Sequence, residues 1–246
     1  MAAPTCLAII PAYNEEASIE RTIADLRENA AGADILVVND HSSDATHRIV
    51  EELGVQQLYL PCNLGYGNAI QIGCAWAVEN GYRRAVFFDG DGQHPAREIE
   101  PMVEKLMREE GDIIIASRYL DSDAMGASAG RYWGNQFFSR LASALTGQKI
   151  TDSTSGMKAV GEKTLPIIAT GGFLDMHAEI LVYLGRRGFR IVEHPAAFAE
   201  REAGVSMYGR LALISYPVMT GTLLLCSLVR AWMDERWEPK EWARHF

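Results

Sequence analysis

The chain has 246 residues, of which 48% are hydrophobic and 22% charged, and this composition is typical of a globular protein rather than a disordered one. Its length is enough for one large domain or two small ones, and we expect one domain with a C-terminal extension. The formal net charge of -9 argues against nucleic acid as a partner, since general nucleic-acid binding needs a basic surface.

Strands and helices alternate through the first half of the chain. Short apolar runs predict strands, and the amphipathic patterns between them predict helices. This alternation predicts an α/β fold with a mostly parallel sheet that is flanked by helices on both faces. The predicted strands cover 6–11, 34–39, 57–60, 85–88 and 112–116, and the predicted helices cover 15–29, 43–53, 64–80 and 95–109.

Polar residues follow three of the predicted strands. Because parallel sheets bind ligands at the carboxyl ends of their strands, these residues are expected to lie together at one edge. They are Asn14 and Glu15 after the first strand, Asn39 and Asp40 after the second, and Asp89 and Asp91 after the fourth.

The segment 85–95 carries the most specific pattern, in which four apolar residues lead to two aspartates one residue apart. Side chains at alternate positions of an extended chain point the same way, so Asp89, Asp91 and Gln93 can converge on one cation. Mg²⁺ favours a few carboxylate oxygens together with substrate phosphates. The pattern predicts a metal-diphosphate site, with two solvated turn aspartates as the alternative.

Three other readings of the glycine and aspartate patterns fit less well. Gly65 and Gly67 open a helix, but Ile70 stands where a dinucleotide-binding fingerprint needs a glycine, so a tight helix start is their alternative role. A calcium loop needs a glycine where His94 stands. A phosphatase with an aspartate nucleophile needs a hydroxyl residue where Gln93 stands, together with a downstream Asp-Asp pair that the chain lacks.

After residue 116 the alternation stops. A loop at 121–130 precedes a predicted helix at 131–145 and a polar segment at 151–156. Further helices are predicted at 162–169 and 176–187, followed by an extended segment at 190–199. We expect this half to complete the sheet and to form the acceptor side of a site whose nucleotide side lies in the first half.

Together these motifs resemble those of family 2 glycosyltransferases, with the branch of dolichyl-phosphate mannose synthases and other polyprenyl-phosphate glycosyltransferases as the most similar. The resemblance covers residues 7 to about 208. It implies the GT-A fold and the transfer of a sugar from a nucleotide-diphosphate sugar. The motifs are Pro-Ala-Tyr-Asn-Glu at 11–15, Val-Val-Asn-Asp-His-Ser-Ser-Asp at 37–44, Asn-Leu-Gly-Tyr-Gly-Asn-Ala at 63–69, Asp-Gly-Asp-Gly-Gln at 89–93, Ser-Arg-Tyr at 117–119 and Thr-Asp-Ser-Thr-Ser-Gly-Met-Lys at 151–158.

The resemblance also implies a division of the chain and a role for each matched residue. Residues 1–208 would form the GT-A domain, with a nucleotide-binding half at 1–117, an acceptor-binding half at 118–208 and a helical extension at 209–246. The metal, Mg²⁺ or Mn²⁺, would be bound by Asp89, Asp91 and Gln93. The nucleotide side would use Pro11, Ala12, Tyr13, Glu15, Asp40, Asn68, Asp89 and Arg201, and the catalytic set would be Asp91, Arg118, Arg131, Asp152 and His177.

Among these residues, the arginines suit phosphate because a planar guanidinium can bind two phosphate oxygens at once. Asp152 either contacts substrate or orders the site through backbone hydrogen bonds. The implied reaction inverts the anomeric carbon, and the cation offsets the charge growing on the departing nucleoside diphosphate. A lipid-phosphate acceptor is already anionic and needs no general base.

Two alternatives stay open for the activity. If the acceptor is a hydroxyl group, His177 or Asp175 would serve as base. A different class of function is a non-catalytic nucleotide- or lipid-binding protein of the same fold. The donor sugar is also open, because Asn39, Gly92 and Met207 depart from the pattern of the mannose synthases.

The C-terminal segment 211–229 is uncharged and lies between Arg210 and Arg230. Its length approaches the roughly 20 residues of a membrane span, but serine, threonine, glycine and proline dilute it. Trp232, Trp237 and Trp242 follow among charged residues, a pattern that suits a membrane interface. The predictions are a membrane-surface anchor, a helix packed against the protein or a second copy in a homo-oligomer, or a span.

The cysteines and the N-terminus indicate the compartment. Cys6, Cys62, Cys74 and Cys226 form no Cys-x-x-Cys pair and no zinc spacing, which predicts reduced thiols. Residues 1–5 carry no basic segment of a secretion signal. We expect a cytoplasmic protein that is peripheral on the cytoplasmic face of the membrane.

Overall fold

The structure, a computed structural model, describes residues 6–120, 129–199 and 212–237, apart from the side chains of 129–133, 212–218 and 237. The strands are β1 Leu7–Ala12, β2 Asp34–Asn39, β3 Gln56–Tyr59, β4 Ala85–Phe87, β5 Ile113–Ser117, β6 Lys158–Val160 and β7 Ile191–Pro195. The α-helices are α1 Ile19–Asn29, α2 Thr46–Glu52, α3 Tyr66–Glu79, α4 Ile99–Met107, α5 Ala129–Thr146, α6 Leu165–Thr170, α7 Ala178–Arg186 and α8 Ala212–Trp237, and a 3-10 turn at Ala96–Glu98 leads into α4.

The strands form a seven-stranded sheet in the order β3-β2-β1-β4-β6-β5-β7. β1 is parallel to β2 and β4, and β5 is parallel to β7. The predicted mostly parallel sheet is therefore confirmed. β6 was not predicted: it runs antiparallel between β4 and β5, has only three residues and begins with a lysine.

Both faces of the sheet are covered, as a parallel sheet requires. Alternate residues of one strand enter opposite cores: Leu7 and Ile9 pack on the side of α3 and α7, and Ala8 and Ile10 pack on the side of α1 and α4. The strands are thus clamped from both sides, and the polar residues that follow them emerge at one edge.

The predicted helix at 15–29 begins later, at Ile19. The preceding segment is bound to the loop after β2 instead, since the Asn14 N–H donates to Ser42 Oγ at 3.0 Å and the Glu15 N–H donates to Thr46 Oγ1 at 2.8 Å. Asn14 takes a left-handed conformation, with φ of 57°. A helix that began at residue 15 would leave these two N–H groups without an acceptor, because the first N–H groups of a helix have no intrahelical partner, whereas the side chains of Ser42 and Thr46 satisfy them.

Helix α8 packs one face against α7 and leaves the other exposed. Leu224 and Ala231 are buried in the core, and the Asp234 carboxylate accepts a hydrogen bond from the Tyr183 hydroxyl at 2.5 Å. The opposite side, called here the outer face of α8, comprises Met219, Leu225, Val229, Trp232 and Met233, which are all exposed. Within the described ranges, no helix is long and apolar enough to cross a membrane.

Candidate active site at the carboxyl ends of the strands

The loops after β1 and β2 form one hydrogen-bonded unit. Asn14 Oδ1 accepts the Ser43 N–H at 2.8 Å, and the Glu15 carboxylate accepts the Ser18 hydroxyl at 2.8 Å. The unit brings the predicted nucleotide-side residues Pro11, Ala12, Tyr13, Glu15 and Asp40 to one edge. Ala12 is buried, whereas Tyr13 is 49% exposed and presents an aromatic ring at the surface.

Asp40 is buried and orders the loop before α3. Its two carboxylate oxygens accept the N–H groups of Leu64 at 2.7 Å and Gly65 at 2.8 Å. Asn68, on the first turn of α3, donates its amide to the Leu64 carbonyl at 2.7 Å. Asp40 therefore holds the backbone of the loop before α3, a role that the sequence did not suggest.

The two glycines at the start of α3 have a structural role. Gly65 precedes the helix with φ of 87°. A Cβ on Gly67 would lie 2.5 Å from the Leu174 carbonyl oxygen, so only glycine lets α3 approach the loop before α7 this closely. The tight helix start considered for these glycines is what the structure shows.

The Asp89 carboxylate is held from several sides. The Tyr66 hydroxyl donates to Oδ1 at 3.1 Å, and His94 Nε2 lies 3.3 Å from Oδ2. His94 Nδ1 accepts the Asp89 N–H at 2.9 Å, so the proton of a neutral ring belongs on Nε2. Burial lowers the pKa of His94 and favours that neutral form, and burial together with Asp89 raises the pKa of Tyr66.

Gly156 completes the surroundings of Asp89. A Cβ at this position would lie 2.5 Å from Asp89 Oδ2, closer than real Cβ atoms approach another atom. The polar segment 151–156, distant in sequence, thus lies directly against the first aspartate of the predicted metal site. Any side chain at position 156 would push that carboxylate aside.

Asp91 and Gln93 lie in the turn that follows. Asp91 is buried, and its Oδ1 accepts the Gln93 N–H at 3.1 Å. The Gln93 amide nitrogen donates to the Ala199 carbonyl at 3.3 Å. The amide oxygen of Gln93 is therefore the atom that could bind a cation. Two carboxylates and an amide oxygen are hard ligands that suit Mg²⁺ or Mn²⁺ rather than zinc.

This ligand set fits a cation that is shared with a substrate. Across the described residues, no group of three or more His, Cys, Asp or Glu side chains could hold a metal by itself. Mg²⁺ is commonly bound by one or two carboxylates plus substrate phosphates, and the set Asp89, Asp91 and Gln93 matches that kind of incomplete shell.

Arg118 and Asp152 form a hydrogen-bonded ion pair beside this turn. Arg118 donates from Nε and one terminal nitrogen to the two Asp152 oxygens, both at 2.7 Å, and the same terminal nitrogen contacts Thr154 Oγ1 at 2.9 Å. Asp152 is fully buried, whereas the Arg118 side chain is 32% exposed. Of the two roles considered for Asp152, the geometry supports ordering: it orients Arg118. Arg201 lies outside the described residues, and so does the side chain of Arg131.

His177 stacks on Tyr66, with ring centroids 5.5 Å apart and planes 11° from parallel. The backbone N–H of His177 donates to Asp175 Oδ1 at 2.9 Å, and burial lowers the pKa of the His177 ring, opposed by the Asp175 carboxylate. His177 Nδ1 and Asp175 Oδ2 are both buried and have no hydrogen-bond partner within the described part of the chain. The pair thus lies next to the Tyr66 that contacts Asp89.

Lys158 was part of a sequence motif but was not proposed as a site residue. Its side chain is fully buried, and burial lowers the pKa of Lys158 to about 8. Its ammonium donates to the Ser155 carbonyl. The signal was a lysine that interrupts an otherwise apolar stretch, Met157 to Val160, directly after the polar segment.

The model of glycosyl transferase family 2 matches residues 7–165 of the chain. The chain belongs to this family. The undecaprenyl-phosphate mannosyltransferase of Micrococcus luteus is 31% identical over 214 residues, which cover 81% of this chain and 86% of that protein. The polyprenol monophosphomannose synthase of Mycolicibacterium smegmatis is 29% identical over 214 residues, which cover 81% of this chain and 79% of that protein. The family and branch suggested by the motifs are confirmed.

Solved structures confirm the GT-A fold of this family 2 glycosyltransferase. The glucosyl-3-phosphoglycerate synthase of Mycobacterium tuberculosis, in complex with Mn²⁺ and UDP, superposes with a TM-score of 0.62 at 18% identity, covering 94% of this chain and 80% of the synthase. A mannosyltransferase of Pyrobaculum calidifontis, in complex with GDP-Man and Mn²⁺, gives a TM-score of 0.64 at 17% identity, with 94% of this chain and 65% of that protein covered. At these identities the likeness concerns the fold.

Proposed function

We propose that this glycosyltransferase is metal-dependent and inverting, and that it moves a sugar from a nucleotide-diphosphate sugar to a polyprenyl phosphate. The observation that carries the proposal is the placement of the Asp152–Gly156 turn. One end of the turn holds Arg118 and the other end contacts Asp89, so a cation-binding aspartate and a phosphate-binding arginine share one support. The polyprenyl-phosphate relatives support the choice of acceptor.

On the donor side, the residues at the ends of β1 and β2 would hold the nucleotide. Tyr13 presents an exposed ring that would lie beside the base, and Glu15 and Asp40 keep the surrounding loops in place. Asn68 lies on the first turn of α3, whose N-terminal N–H groups favour negative charge.

The oxygens of Asp89, Asp91 and Gln93 would hold Mg²⁺ or Mn²⁺, which when bound supplies Lewis-acid stabilisation of the diphosphate leaving group. Neighbouring folds with bound Mn²⁺ support this assignment. Tyr66 and His94 keep the Asp89 carboxylate oriented before any ligand arrives, so little reorganisation is needed.

On the acceptor side, Arg118 would bind the acceptor phosphate, with Arg131 and Arg201 as further phosphate contacts. Because Asp152 fixes the guanidinium, its exposed part can meet a phosphate without losing rotational freedom at that moment. The phosphate oxygen is already anionic and attacks the anomeric carbon from the face opposite the leaving diphosphate, which inverts the configuration.

We also propose the division of the chain that the motifs imply: a donor half at 1–117, an acceptor half at 118–208 and the extension at 209–246. The outer face of α8 would lie on the membrane surface that holds the lipid acceptor, on the cytoplasmic side. This face combines Met219, Leu225, Val229, Trp232 and Met233, and such side chains gain free energy on entering the interface.

One observation favours a second candidate, transfer to a hydroxyl acceptor. The buried His177 Nδ1 and Asp175 Oδ2 have no described partner, as expected for a base that awaits a substrate proton. A phosphate acceptor needs neither atom as a base, so the two candidates differ in their dependence on His177.

The test is a thermal-shift screen of UDP-, GDP- and dTDP-sugars with Mn²⁺ or Mg²⁺, followed by transfer assays with the stabilising donors. The acceptors are a synthetic polyprenyl phosphate and a membrane lipid extract. We expect transfer to the lipid phosphate that His177→Gln retains. Transfer to the lipid extract but not to the polyprenyl phosphate, lost in His177→Gln, would favour the hydroxyl candidate. Binding of a nucleotide without transfer or donor hydrolysis would favour the non-catalytic function.

A further inference from the structure

Lys158 occupies a position where a lysine is costly. It lies on β6 between Phe87 of β4 and Ile115 of β5, and its side chain is fully buried. Removing an ammonium from water disfavours its charged form, which is why its pKa falls to about 8. An apolar side chain of similar length would fill the same space without that cost.

The ammonium of Lys158 has one hydrogen-bond partner in the neighbouring turn, the carbonyl oxygen of Ser155. Ser155 lies between the two functional contacts of that turn. On one side Asp152 binds Arg118 at 2.7 Å, and on the other Gly156 lies so close to Asp89 that a Cβ would be 2.5 Å from its carboxylate. A bond to Ser155 therefore fixes both ends of the turn.

Charge supports the same role. The carboxylates of Asp175, Asp152 and Asp89 all favour the charged form of Lys158, whereas Arg118 opposes it. Carboxylates gathered in a poorly solvated region repel one another unless a cation lies among them. Lys158 supplies that cation from within the sheet, where no substrate reaches it.

We propose that Lys158 is a positioning residue for sugar transfer: anchored in β6, it holds the Asp152–Gly156 turn so that Asp89 and Arg118 keep their spacing. This inference rests on the proposed function. Lys158 contacts neither donor nor acceptor, since its side chain is buried, and acts through Asp89 on the cation and through Asp152 on the acceptor arginine.

The test compares Lys158→Met with Ile115→Ala in the transfer assay, using the donor found for the wild-type protein and a synthetic polyprenyl phosphate. Ile115 is the cross-strand partner of Lys158, is equally buried and has an apolar side chain, so it controls for loss of stability. Both changes should lower the melting temperature. Only Lys158→Met should raise the Mn²⁺ concentration for half-maximal transfer, by about tenfold, because residues that orient a metal ligand commonly change metal affinity by that much. Lys158→Met should also raise the KM for the acceptor.

Lys158→Gln separates the hydrogen bond from the charge and serves if Lys158→Met does not fold. Because glutamine can still donate to Ser155 but carries no charge, we expect an intermediate rise in both quantities. The inference is overturned if the folded Lys158 variants match the wild type in the Mn²⁺ concentration for half-maximal transfer and in the KM for the acceptor. It is also overturned if Ile115→Ala shifts these two quantities by the same factor, or if neither Lys158 variant folds. A wild-type protein without transfer would instead defeat the proposed function.

Discussion

The strand-end site and the outer face of α8 are built in opposite ways. At the strand ends, polar side chains are held by neighbours: Tyr66 and His94 contact Asp89, and Asp152 binds Arg118. On α8, five apolar side chains stand 46–62% exposed while the opposite face is packed against α7. Under the proposed function, the first region would hold a small charged ligand in a fixed position, and the second would meet a broad apolar surface such as a lipid interface.

The largest effect is expected from breaking the strand-end site itself. Under the proposed function, Asp91→Ala removes a carboxylate that would bind the cation, and through it the diphosphate, so transfer should fall on the order of 100-fold or more. The melting temperature should fall only modestly, because the described side-chain bond that is lost is the one from the Gln93 N–H. The measurement is the initial rate of transfer at saturating donor.

A matched control is Asp34→Asn, which changes a carboxylate at the other end of β2, where it accepts the Tyr82 hydroxyl at 2.8 Å. Its rate should stay close to that of the wild type. A metal role for Asp91 would be refuted by unchanged turnover of Asp91→Ala.

Gly156→Ala tests how tightly the strand-end site is held. The added methyl would lie 2.5 Å from Asp89 Oδ2, so the carboxylate must move. We expect the Mn²⁺ concentration for half-maximal transfer to rise between about 10- and 100-fold. Gly161→Ala is the control, because the nearest atom to its new methyl would be 3.5 Å away. Equal Mn²⁺ dependence of the two variants would contradict the contact.

The outer face of α8 is tested by charge. Leu225→Glu with Val229→Glu places two carboxylates on exposed positions, so the fold should survive while binding to anionic lipid vesicles weakens by about tenfold. Vesicle co-sedimentation measures this. Met107→Glu with Phe137→Glu is the control, because it adds the same two charges at positions that are 55% and 63% exposed on α4 and α5. If it weakens binding equally, the effect is one of net charge and not of α8.

The smallest effect concerns the buried imidazole of His177, which stacks on Tyr66. The pKa of His177 is lowered by burial, so below about pH 6.5 the unfolded chain takes up the proton first. The free energy of unfolding should therefore fall as the pH drops below 6.5, by up to about 1.4 kcal/mol per pH unit from this group. His177→Gln should show a shallower fall between pH 7 and 5.5 in chemical denaturation; parallel curves would contradict the assignment.

Much of the strand-end site followed from the sequence, because the alternation of strands and helices decides which ends meet. Asp40 and Asp89 were expected at one edge, and they lie there. The approach of Gly156 to Asp89 was not foreseen, since it depends on β6 running antiparallel between β4 and β5. A three-residue strand that begins with Lys158 lacks the apolar run by which the other strands were recognised.

The two faces of α8 were harder to predict for a different reason. Residues 211–229 are apolar nearly all round, so no periodic pattern distinguishes a covered side from a bare one. Which side is covered depends on α7, which buries Leu224 and leaves Leu225 exposed. Likewise, Asp40 was assigned to the nucleotide by its motif, and only the structure shows that its oxygens also hold the N–H groups of Leu64 and Gly65.

The most direct test of the account is transfer of a radiolabelled sugar from the donor selected in the screen to a synthetic polyprenyl phosphate, with Mn²⁺, after chelation, and after Mn²⁺ is restored. We predict a labelled lipid product of inverted anomeric configuration that disappears on chelation and returns with the metal. Transfer that persists in the chelator, or a product whose anomeric configuration is retained, would contradict the account.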